Sequence, residues 1–406
     1  MIDVAIIGAG ASGLVTAILA ARRGKSVVIL EKNTKVGKKL LATGNGKCNI
    51  ANIRPTLEHF YSENLPFVAQ MLKGYSFQTV KQFFKSIGLE LIEAKEGKVF
   101  PMSLQASSVV ELLAEECQLL NVTILLESRV EKLHYGNGSF SLSYNNDRIK
   151  AKRVVLATGH CSAPQLGGVR DGLSLAESLG HRLIEGFPTL VQLTSPYKES
   201  YLKRLSGVKV HSRVTLKSAK VHVQKEGDVL FTNYGLSGLA ILDISRHVLE
   251  VLKTEKEVTL TIDLMPKMSR EQLRAMLRKS LVKKSPKELR VWLQGFLHKK
   301  LIYPLLEPLK LENHTVGWLV FNQDKLDEIV DGIKSFSFLV NGHNGYRGAE
   351  VATGGIDTRE VESQTMESKR QKGLYFTGEV LDLDGDRGGF NLHLAWVSAL
   401  RVGENI

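Results

Sequence analysis

A strand, a glycine-rich turn and a helix open the chain, and this arrangement constrains the fold more than any other feature. Residues 4–7 form a short apolar run, GAGASG follows at residues 8–13, and residues 14–23 are rich in alanine and leucine. A second apolar run at residues 26–30 leads into Glu31. Because a GxGxxG pattern is informative only between a strand and a helix, this context predicts the βαβ opening of a Rossmann-type dinucleotide site.

The three glycines of the turn have different physical roles. Gly8 permits the tight turn, Gly10 lets a pyrophosphate approach the backbone, and Gly13 allows the helix to pack closely on the strand. Ala11 and Ser12 begin that helix, whose free N–H groups and partial positive charge favour phosphate binding.

Glu31 ends the second strand, near the separation of about twenty residues at which a carboxylate binds the ribose hydroxyls of a dinucleotide. The opening motif alone fits either NAD or FAD, but two later segments favour FAD. VVLATG at residues 154–159 is a strand that ends in a turn of small residues, and GLYFTGE at residues 373–379 is a strand that closes on Gly-Glu. The cofactor contacts predicted from these segments are Ala157, Thr158, Gly159, Gly378, Glu379 and Asp384.

A second glycine-rich loop, GKKLLATGNGKCN, occupies residues 37–49. Its spacing does not match the GxxxxGK[ST] pattern of a P-loop. One interpretation is a flexible cationic loop; the other is a loop that lies along a flavin ring and pyrophosphate, with Lys39 offsetting negative charge. The second interpretation adds the predicted contacts Lys39, Thr43, Gly44, Gly46, Lys47, Cys48 and Asn49.

Cysteine usage and hydropathy exclude several classes of protein. Cys48, Cys117 and Cys161 form no CxxC pair and no metal-ligand spacing, so we expect neither a dithiol reductase nor a metal site. No segment approaches the roughly 20 apolar residues of a membrane helix. The N-terminal run reaches glycine at once and lacks a basic region, so no secretory signal is predicted and a cytoplasmic location is expected.

The formal net charge is +12, and residues 266–312 carry twelve Lys or Arg against four Asp or Glu, leaving +8 in that stretch. Such a stretch attracts nucleic acid or anionic substrates, or else forms a solvated helical face. Its aromatic residues Trp292, Phe296 and Tyr303 fall on the apolar stripe rather than among the lysines. Base-stacking platforms are therefore not evident, and a nucleic-acid partner is not expected.

Changes of hydrophobic period predict one nucleotide-binding domain made of both chain ends, interrupted by a β-rich module that carries a helical insert. Short alternating strands are predicted after Pro188, such as Val208–Val210 and Val221–Val223. The predicted segments are 1–188 and 344–406 for the FAD-binding domain, 189–265 and 326–343 for the β-rich module, and 266–325 for the helical insert.

Five segments run in the order seen in one flavoprotein family: GAGASG, GKKLLATGNGKCN, LFTNYGLSGLAIL, EVATGGIDTREVESQTMESK and GLYFTGEVLDLDGDRGGFNLHLAW. The chain resembles the aminoacetone oxidase family of FAD-binding enzymes, also described as BaiN-like NAD(P)/FAD-dependent oxidoreductases. The resemblance implies an α/β fold with a Rossmann-type FAD-binding domain of glutathione-reductase type, an inserted β-barrel-like module and a small helical insert. The predicted FAD contacts further include Lys32, Val130, Gly388, Gly389, Phe390 and Asn391.

The chain departs from the family pattern at positions that bear on the substrate. His160 and Cys161 follow the ATG turn where the family has a second glycine, and Phe390 replaces a tyrosine, with loss of a phenolic hydroxyl. FAD binding relies mostly on backbone contacts and should survive these changes. No catalytic acid or base is assigned, because flavin chemistry needs little from the protein beyond orientation, exclusion of water and tuning of charge.

Two functions follow as hypotheses. The first is a flavoenzyme that moves a hydride between a small organic substrate and FAD, either as an oxidase of an aminoacetone-like amine or as a reductase that binds NAD(P)H transiently. A single GxGxxG leaves no separate nicotinamide domain of glutathione-reductase type. The second is an RNA-binding flavoprotein that uses the basic helical insert. The sequence leaves the substrate and the oligomeric state open.

Overall fold

The computed structural model describes residues 1–219 and 221–406. They divide into two compact units, the first made of Met1–Pro188 with Ala349–Ile406 and the second of Thr189–Gly348. The division of the chain into five segments that the sequence suggested is finer than these two units and stays a prediction. Among the described residues, no helix is both long and apolar enough to cross a membrane.

The bounds of the elements follow in chain order. The α-helices are α1 (Ala11–Arg22), α2 (Lys38–Ala42), α3 (Leu65–Leu72), α4 (Phe77–Ser86), α5 (Ala106–Leu119), α6 (Asp171–Ser178), α7 (Glu199–Leu205), α8 (Leu239–Leu252), α9 (Arg270–Lys279), α10 (Leu289–Trp292), α11 (Lys299–Leu306), α12 (Val316–Leu319), α13 (Gln323–Lys334) and α14 (Phe390–Asn405). The strands are β1 (Ile2–Ile7), β2 (Val27–Leu30), β3 (Ala51–Asn52), β4 (Phe60–Tyr61), β5 (Leu91–Glu93), β6 (Lys98–Pro101), β7 (Thr123–Leu125), β8 (Val130–Gly136), β9 (Ser139–Tyr144), β10 (Asp147–Leu156), β11 (Leu183–Ile184), β12 (Pro188–Thr189), β13 (Leu193–Thr194), β14 (Lys209–Lys217), β15 (His222–Phe231), β16 (Gly235–Ser237), β17 (Val258–Asp263), β18 (Phe336–Val340), β19 (Gly342–His343), β20 (Val351–Ala352), β21 (Gly355–Ile356), β22 (Leu374–Phe376) and β23 (Asp384–Gly385).

The first unit is built on a seven-stranded sheet in the order β7-β2-β1-β10-β9-β8, with β22 also paired to β10. Strands β7, β2, β1, β10 and β22 run parallel to one another. Strands β2 and β22 and the second half of β1 are buried throughout, as expected for parallel strands that are covered by helices on both faces. The predicted α/β fold class with a Rossmann-type domain is confirmed.

The parallel register brings four chain segments to one edge of this sheet. Ile7 pairs with Leu30 on one side and with Leu156 on the other, and Leu156 pairs with Phe376. The residues that directly follow these four strands therefore emerge side by side at the carboxyl edge. In open parallel sheets, ligands bind in the crevice at this edge.

The second unit contains a seven-stranded antiparallel sheet in the order β18-β17-β14-β15-β16-β13-β19, with helix α8 packed on β14 and β15. The predicted short strands at Val208–Val210 and Val221–Val223 overlap the starts of longer strands, which begin one residue later, at Lys209 and His222. On the exposed face, Arg213 lies opposite Glu226 in the register, and their side chains form an ion pair of 2.8 Å. Cross-strand pairs of opposite charge stabilise such a face.

The glycines of the opening turn give a test of the packing. A Cβ at position 13 would lie 2.0 Å from the Gly8 carbonyl oxygen, whereas a Cβ at position 10 would meet nothing within 4 Å. We predict that Gly13→Ala lowers the free energy of unfolding by about 1–3 kcal/mol, because helix α1 must move away from β1. Gly10→Ala, the matched control, should unfold at the wild-type urea midpoint. Equal unfolding midpoints for the two variants would contradict this packing.

Candidate functional site

The first glycine of the opening turn lies against a second turn of the same sheet edge. Gly8 adopts φ +106°, and a Cβ there would lie 2.6 Å from the Ala157 carbonyl oxygen. Only glycine combines this backbone angle with so close an approach. The turns that follow β1 and β10, both of which the sequence predicted to contact a cofactor, are therefore in direct contact.

The second glycine faces open space. Gly10 has an extended backbone (φ −84°, ψ −166°) and forms the N-cap of α1, where no side chain makes a capping hydrogen bond. The helix begins at Ala11 and Ser12, and no neighbouring atom occupies the position of a Cβ on Gly10. A helix N-terminus with uncapped N–H groups and free space in front of it is suited to a phosphate group.

Glu31 is buried, with 7 % of its surface exposed, and its carboxylate organises the turn. Its Oε2 accepts the Ala9 N–H at 2.8 Å, and its Oε1 accepts the Asn33 N–H at 2.8 Å and the Asn33 side-chain amide at 2.6 Å. A carboxylate offers about four acceptor sites, so the three bonds leave capacity for a ribose hydroxyl. The role of Glu31 as an acceptor for the ribose stays a prediction.

Two predicted contacts lie close to this carboxylate in the chain. Lys32 is half-buried, and its burial lowers the pKa of the ammonium group. Val130 is buried at the start of β8. The Ser128 N–H donates to the Glu31 carbonyl oxygen at 2.8 Å, which holds the segment before Val130 beside the end of β2.

The second glycine-rich loop is joined to the first turn by its backbone. The Gly37 N–H donates to the Ala9 carbonyl oxygen at 2.8 Å, and α2 follows at once. From α2 the Lys39 ammonium donates to Glu379 Oε2 and to Ser162 Oγ, each at 2.7 Å. One lysine thus connects the loop with the segments that follow β10 and β22, as expected if these segments border a common ligand.

The remainder of this loop divides into exposed and internally bonded residues. Gly44, Gly46 and Lys47 are exposed, whereas Thr43 donates its hydroxyl to the Leu40 carbonyl oxygen at 2.7 Å. The Asn49 side chain accepts the Val99 N–H at 3.3 Å. These bonds fix the shape of the loop and leave its tip, residues 44–47, open to solvent.

Cys48 lies in this loop but is fully buried. Burial raises the pKa of its thiol to about 12, so the reactive thiolate form is disfavoured at neutral pH. Cys48 therefore contributes to packing and provides no nucleophile.

The turn after β10 is tightly packed. A Cβ on Gly172 would lie 2.0 Å from Thr158 Oγ1, and Gly159 adopts φ +67° with Glu379 Oε2 3.9 Å from its Cβ position. His160 is 3 % exposed, and its Nδ1 accepts the Cys161 N–H at 2.8 Å. Burial lowers the pKa of His160 to about 4 although the charge of Glu379 opposes the shift, so the imidazole is neutral at neutral pH.

The C-terminal segments close the same region of the first unit. Gly378 packs on helix α1, where its Cβ would lie 3.0 Å from Ser12 Oγ, and the Thr377 hydroxyl donates to Ser12 Oγ at 3.1 Å. Gly388 and Gly389 both take positive φ, and Gly389 is the N-cap of α14. Helix α14 therefore begins directly after this pair of glycines.

The residues that flank this glycine pair are held in place by side-chain contacts. The Asn391 side chain accepts the Gly385 N–H and donates to the Gly385 carbonyl oxygen, both at 2.8 Å. Phe390 stacks on His59 with ring centroids 4.1 Å apart, and Asp384 is buried in β23. All of the predicted contact residues belong to the first unit, although Thr43, Cys48, Asn49, Phe390 and Asn391 contact the protein itself.

The structure also adds residues that the sequence reasoning missed. Asn33 orients the Glu31 carboxylate, Ser162 binds Lys39, and His59 stacks on Phe390. His393 in α14 is completely buried, and neither ring nitrogen has a hydrogen-bond partner among the described residues. Burial lowers the pKa of His393 to about 4. No sequence pattern marks His59, Ser162 or His393, because their surroundings form only on folding. Asn33 lies two residues from Glu31, and this proximity is the one signal that could have indicated it.

The buried neutral His160 predicts how stability depends on pH. Its folded-state pKa of about 4 lies below the ordinary value of 6.5, so its contribution to stability is complete above pH 6.5 and is lost as the pH falls toward 4. From pH 7 to pH 5 we expect His160 to account for about 2 kcal/mol of the decrease in unfolding free energy.

Urea unfolding of FAD-saturated protein at both pH values tests this expectation. The variant His160→Asn retains an acceptor for the Cys161 N–H but does not titrate, so its stability should fall less than that of the wild type. An identical decrease in the two proteins would contradict the assignment of a buried neutral imidazole.

Comparison with known proteins agrees with this geometry. The family model described as "HI0933-like protein Rossmann domain" matches residues 2–405. The chain is 35 % identical over 404 residues to a 3-dehydro-bile acid delta(4,6)-reductase of Clostridium scindens, with 98 % of each chain covered. It is 34 % identical over 399 residues to a ribosomal RNA dihydrouridine synthase of Haemophilus influenzae, with 97 % of this chain and 96 % of the relative covered.

A solved structure shows the same fold at low sequence identity. The 3-ketosteroid delta1-dehydrogenase of Sterolibacterium denitrificans matches with a TM-score of 0.51 at 12 % identity, covering 100 % of this chain and 99 % of the other. The resemblance to BaiN-like oxidoreductases that the motifs suggested is confirmed. The chain belongs to the HI0933-like family of Rossmann-domain proteins and is an FAD-dependent oxidoreductase.

Proposed function

We propose that the protein is a reductase that saturates a carbon–carbon double bond conjugated to a carbonyl group, with NAD(P)H as the source of electrons. The observation that carries this proposal is full-length similarity to two relatives, one named as a bile acid reductase and the other as a synthase of dihydrouridine, the reduced form of uridine. A 3-dehydro-4,6-diene and the C5=C6 bond of uracil are both double bonds in conjugation with a carbonyl. A conjugated carbonyl makes the distant carbon of the double bond an acceptor for hydride.

The donor set of the first unit fits FAD. Open space in front of Gly10 and the uncapped N-terminus of α1 would hold the pyrophosphate, and Glu31 would accept bonds from the ribose hydroxyls. Lys39 would offset phosphate or ring charge from its position beside Glu379. Bound FAD would supply the hydride-transfer chemistry, accepting a hydride from a nicotinamide and passing it to the substrate.

The protein's own residues would orient the reactants and exclude water. The Lys39–Glu379 ion pair is partly buried, with 31 % and 19 % of the two side chains exposed, and fixes an ammonium group at the edge of the sheet. The Nδ1 of His160 accepts a backbone N–H, which leaves its proton on Nε2. A neutral His160 would therefore offer a hydrogen-bond donor and no positive charge.

Reduction is favoured over oxidation of an aminoacetone-like amine because the names of both full-length relatives denote reduction. Since the sequence contains one GxGxxG turn, NAD(P)H would bind and leave without a Rossmann domain of its own. This agrees with the transient reductant that the sequence suggested.

The first prediction of the proposal concerns electron flow. NADPH or NADH should bleach the flavin absorption of the purified protein under anaerobic conditions, and a 3-oxo-4-ene steroid or a uridine-containing RNA should then restore it. Reduction by aminoacetone without reduction by either nicotinamide would contradict the proposal and favour the oxidase.

The second prediction concerns the position of the pyrophosphate. Gly10→Val should fold but purify without FAD, because two methyl groups would fill the open space in front of α1. Gly295→Val is the matched control, since a Cβ at Gly295 also meets nothing within 4 Å. Flavin content per chain, with circular dichroism as a check of folding, is the measurement. A full complement of FAD in folded Gly10→Val would place the pyrophosphate elsewhere.

A further inference from the structure

An exposed segment of the second unit carries a strong and uncompensated positive charge. Residues 278–290, the basic segment, contain six Lys or Arg and one Asp or Glu, which leaves a net charge of +5. All six cationic side chains are exposed. They are Arg278, Lys279, Lys283, Lys284, Lys287 and Arg290.

Two arginines of α9 that precede the basic segment are neutralised by α13, whereas most cations of the basic segment have no carboxylate partner among the described residues. Arg270 and Arg274 on α9 each bind an aspartate of α13, at 2.5 Å in both cases. Within the part of the chain that the structure describes, Arg290 alone among the six pairs with a carboxylate, that of Glu288. The basic residues of this stretch therefore do not form one solvated helical face. They lie in two different environments.

The basic segment is an ordered connection whose backbone is held by hydrogen bonds. Between α9 and α10, the Ser285 carbonyl oxygen accepts the Gly317 N–H at 3.0 Å, and the Lys287 carbonyl oxygen accepts the Val316 N–H at 2.8 Å. The Trp292 indole N–H donates to Ser280 Oγ at 3.1 Å. Lys283, Lys284 and Lys287 lie outside the helices on a fixed backbone, which limits the entropy that is lost when they bind a partner.

Aromatic side chains lie beside this backbone. His314 and Trp318 stack with ring centroids 3.8 Å apart and an angle of 21° between their planes. One turn later, where the Phe321 N–H donates to the Trp318 carbonyl oxygen at 3.1 Å, the Phe321 side chain is 74 % exposed. The residues between His314 and Trp318 are those that hydrogen-bond to the basic segment. The aromatic strip, defined as His314, Trp318 and Phe321, is thus carried by a segment whose backbone is hydrogen-bonded to the basic segment.

We propose that the basic segment and the aromatic strip form a docking surface for RNA with a single-stranded region. Lysine and arginine would neutralise backbone phosphates, and unstacked bases would stack on exposed aromatic rings. The inference rests on the proposed function and deepens it, because it makes a uracil base within RNA the class of substrate.

The same features fit a membrane surface less well. Membrane-surface helices present an apolar face to the lipid, whereas the apolar residues Leu273 and Leu277 of α9 are buried within the protein. The lysines of the connection lie outside any helix. Anionic vesicles therefore serve as a competing ligand in the test.

The test measures binding without turnover. A fluorescein-labelled RNA hairpin with a uridine-rich loop is titrated with the FAD-containing protein, and the anisotropy is followed over a series of salt concentrations. The combined variant Lys283→Gln, Lys284→Gln and Lys287→Gln should bind about tenfold or more weakly, and the slope of log K against log salt should decrease by about 2.

A matched control distinguishes the effect of this local surface on RNA binding from the effect of the net charge of the protein. The combined variant Lys85→Gln, Lys132→Gln and Lys150→Gln removes three exposed lysines of the first unit and changes the net charge equally. Its affinity should stay within about twofold of wild type. Phe321→Ala should weaken binding to the hairpin about tenfold, since stacking is lost, but leave binding to a fully paired duplex unchanged.

Three outcomes would contradict the proposed docking surface. The wild type does not bind the hairpin, the two lysine variants lose affinity for RNA equally, or the protein binds phosphatidylglycerol vesicles more tightly than RNA. Flavin reduction by NADPH, measured on the same samples, tests the proposed function separately. RNA binding through this surface without flavin reduction would support the docking surface and contradict the proposed reductase. Flavin reduction without RNA binding would support the reductase and contradict the docking surface.

Discussion

The hydrogen bond from the Ala9 N–H to the Glu31 carboxylate is the interaction on which the rest of the site depends. It fixes the opening turn to the end of β2, while the carbonyl oxygen of the same Ala9 accepts the N–H of Gly37 and so positions the second loop. A buried carboxylate with three donors is a stable anchor, because charge-assisted hydrogen bonds are stronger than neutral ones.

The parallel sheet extends this local order across the first unit. Strands β2, β1, β10 and β22 end in register, so the segments that follow them lie side by side at the carboxyl edge of the sheet. Lys39 then joins the second loop to Glu379, a residue 340 positions further along the chain. The result is an ordered edge with open space in front of Gly10.

The fold class and the outline of this edge could be predicted from the sequence because both follow from local patterns. Apolar runs and glycine spacing reveal strands, turns and helix starts without knowledge of long-range contacts. Ser162 could not be found in this way, since it contacts Lys39, 123 positions away in the chain, only after folding.

The long strands β14 and β15 were underestimated for a related reason. Ser212 interrupts the apolar alternation of β14, and Lys225 and Gly227 interrupt that of β15. The ion pair of Arg213 and Glu226 is visible only after the strands pair. The environment of the basic stretch is also ambiguous in the sequence. Sequence alone does not distinguish the arginines of α9 that bind α13 from the lysines in the connection between α9 and α10.

The dissociation constants of the apoprotein for FAD and for FMN, measured in wild type and in Glu31→Gln, test the central claim most directly. FMN lacks the adenosine ribose that Glu31 is proposed to bind. The account predicts that Glu31→Gln weakens FAD binding about tenfold or more beyond its effect on FMN binding, as expected for loss of a charge-assisted hydrogen bond to the ribose. Equal losses for the two flavins, or no loss for FAD, would contradict it.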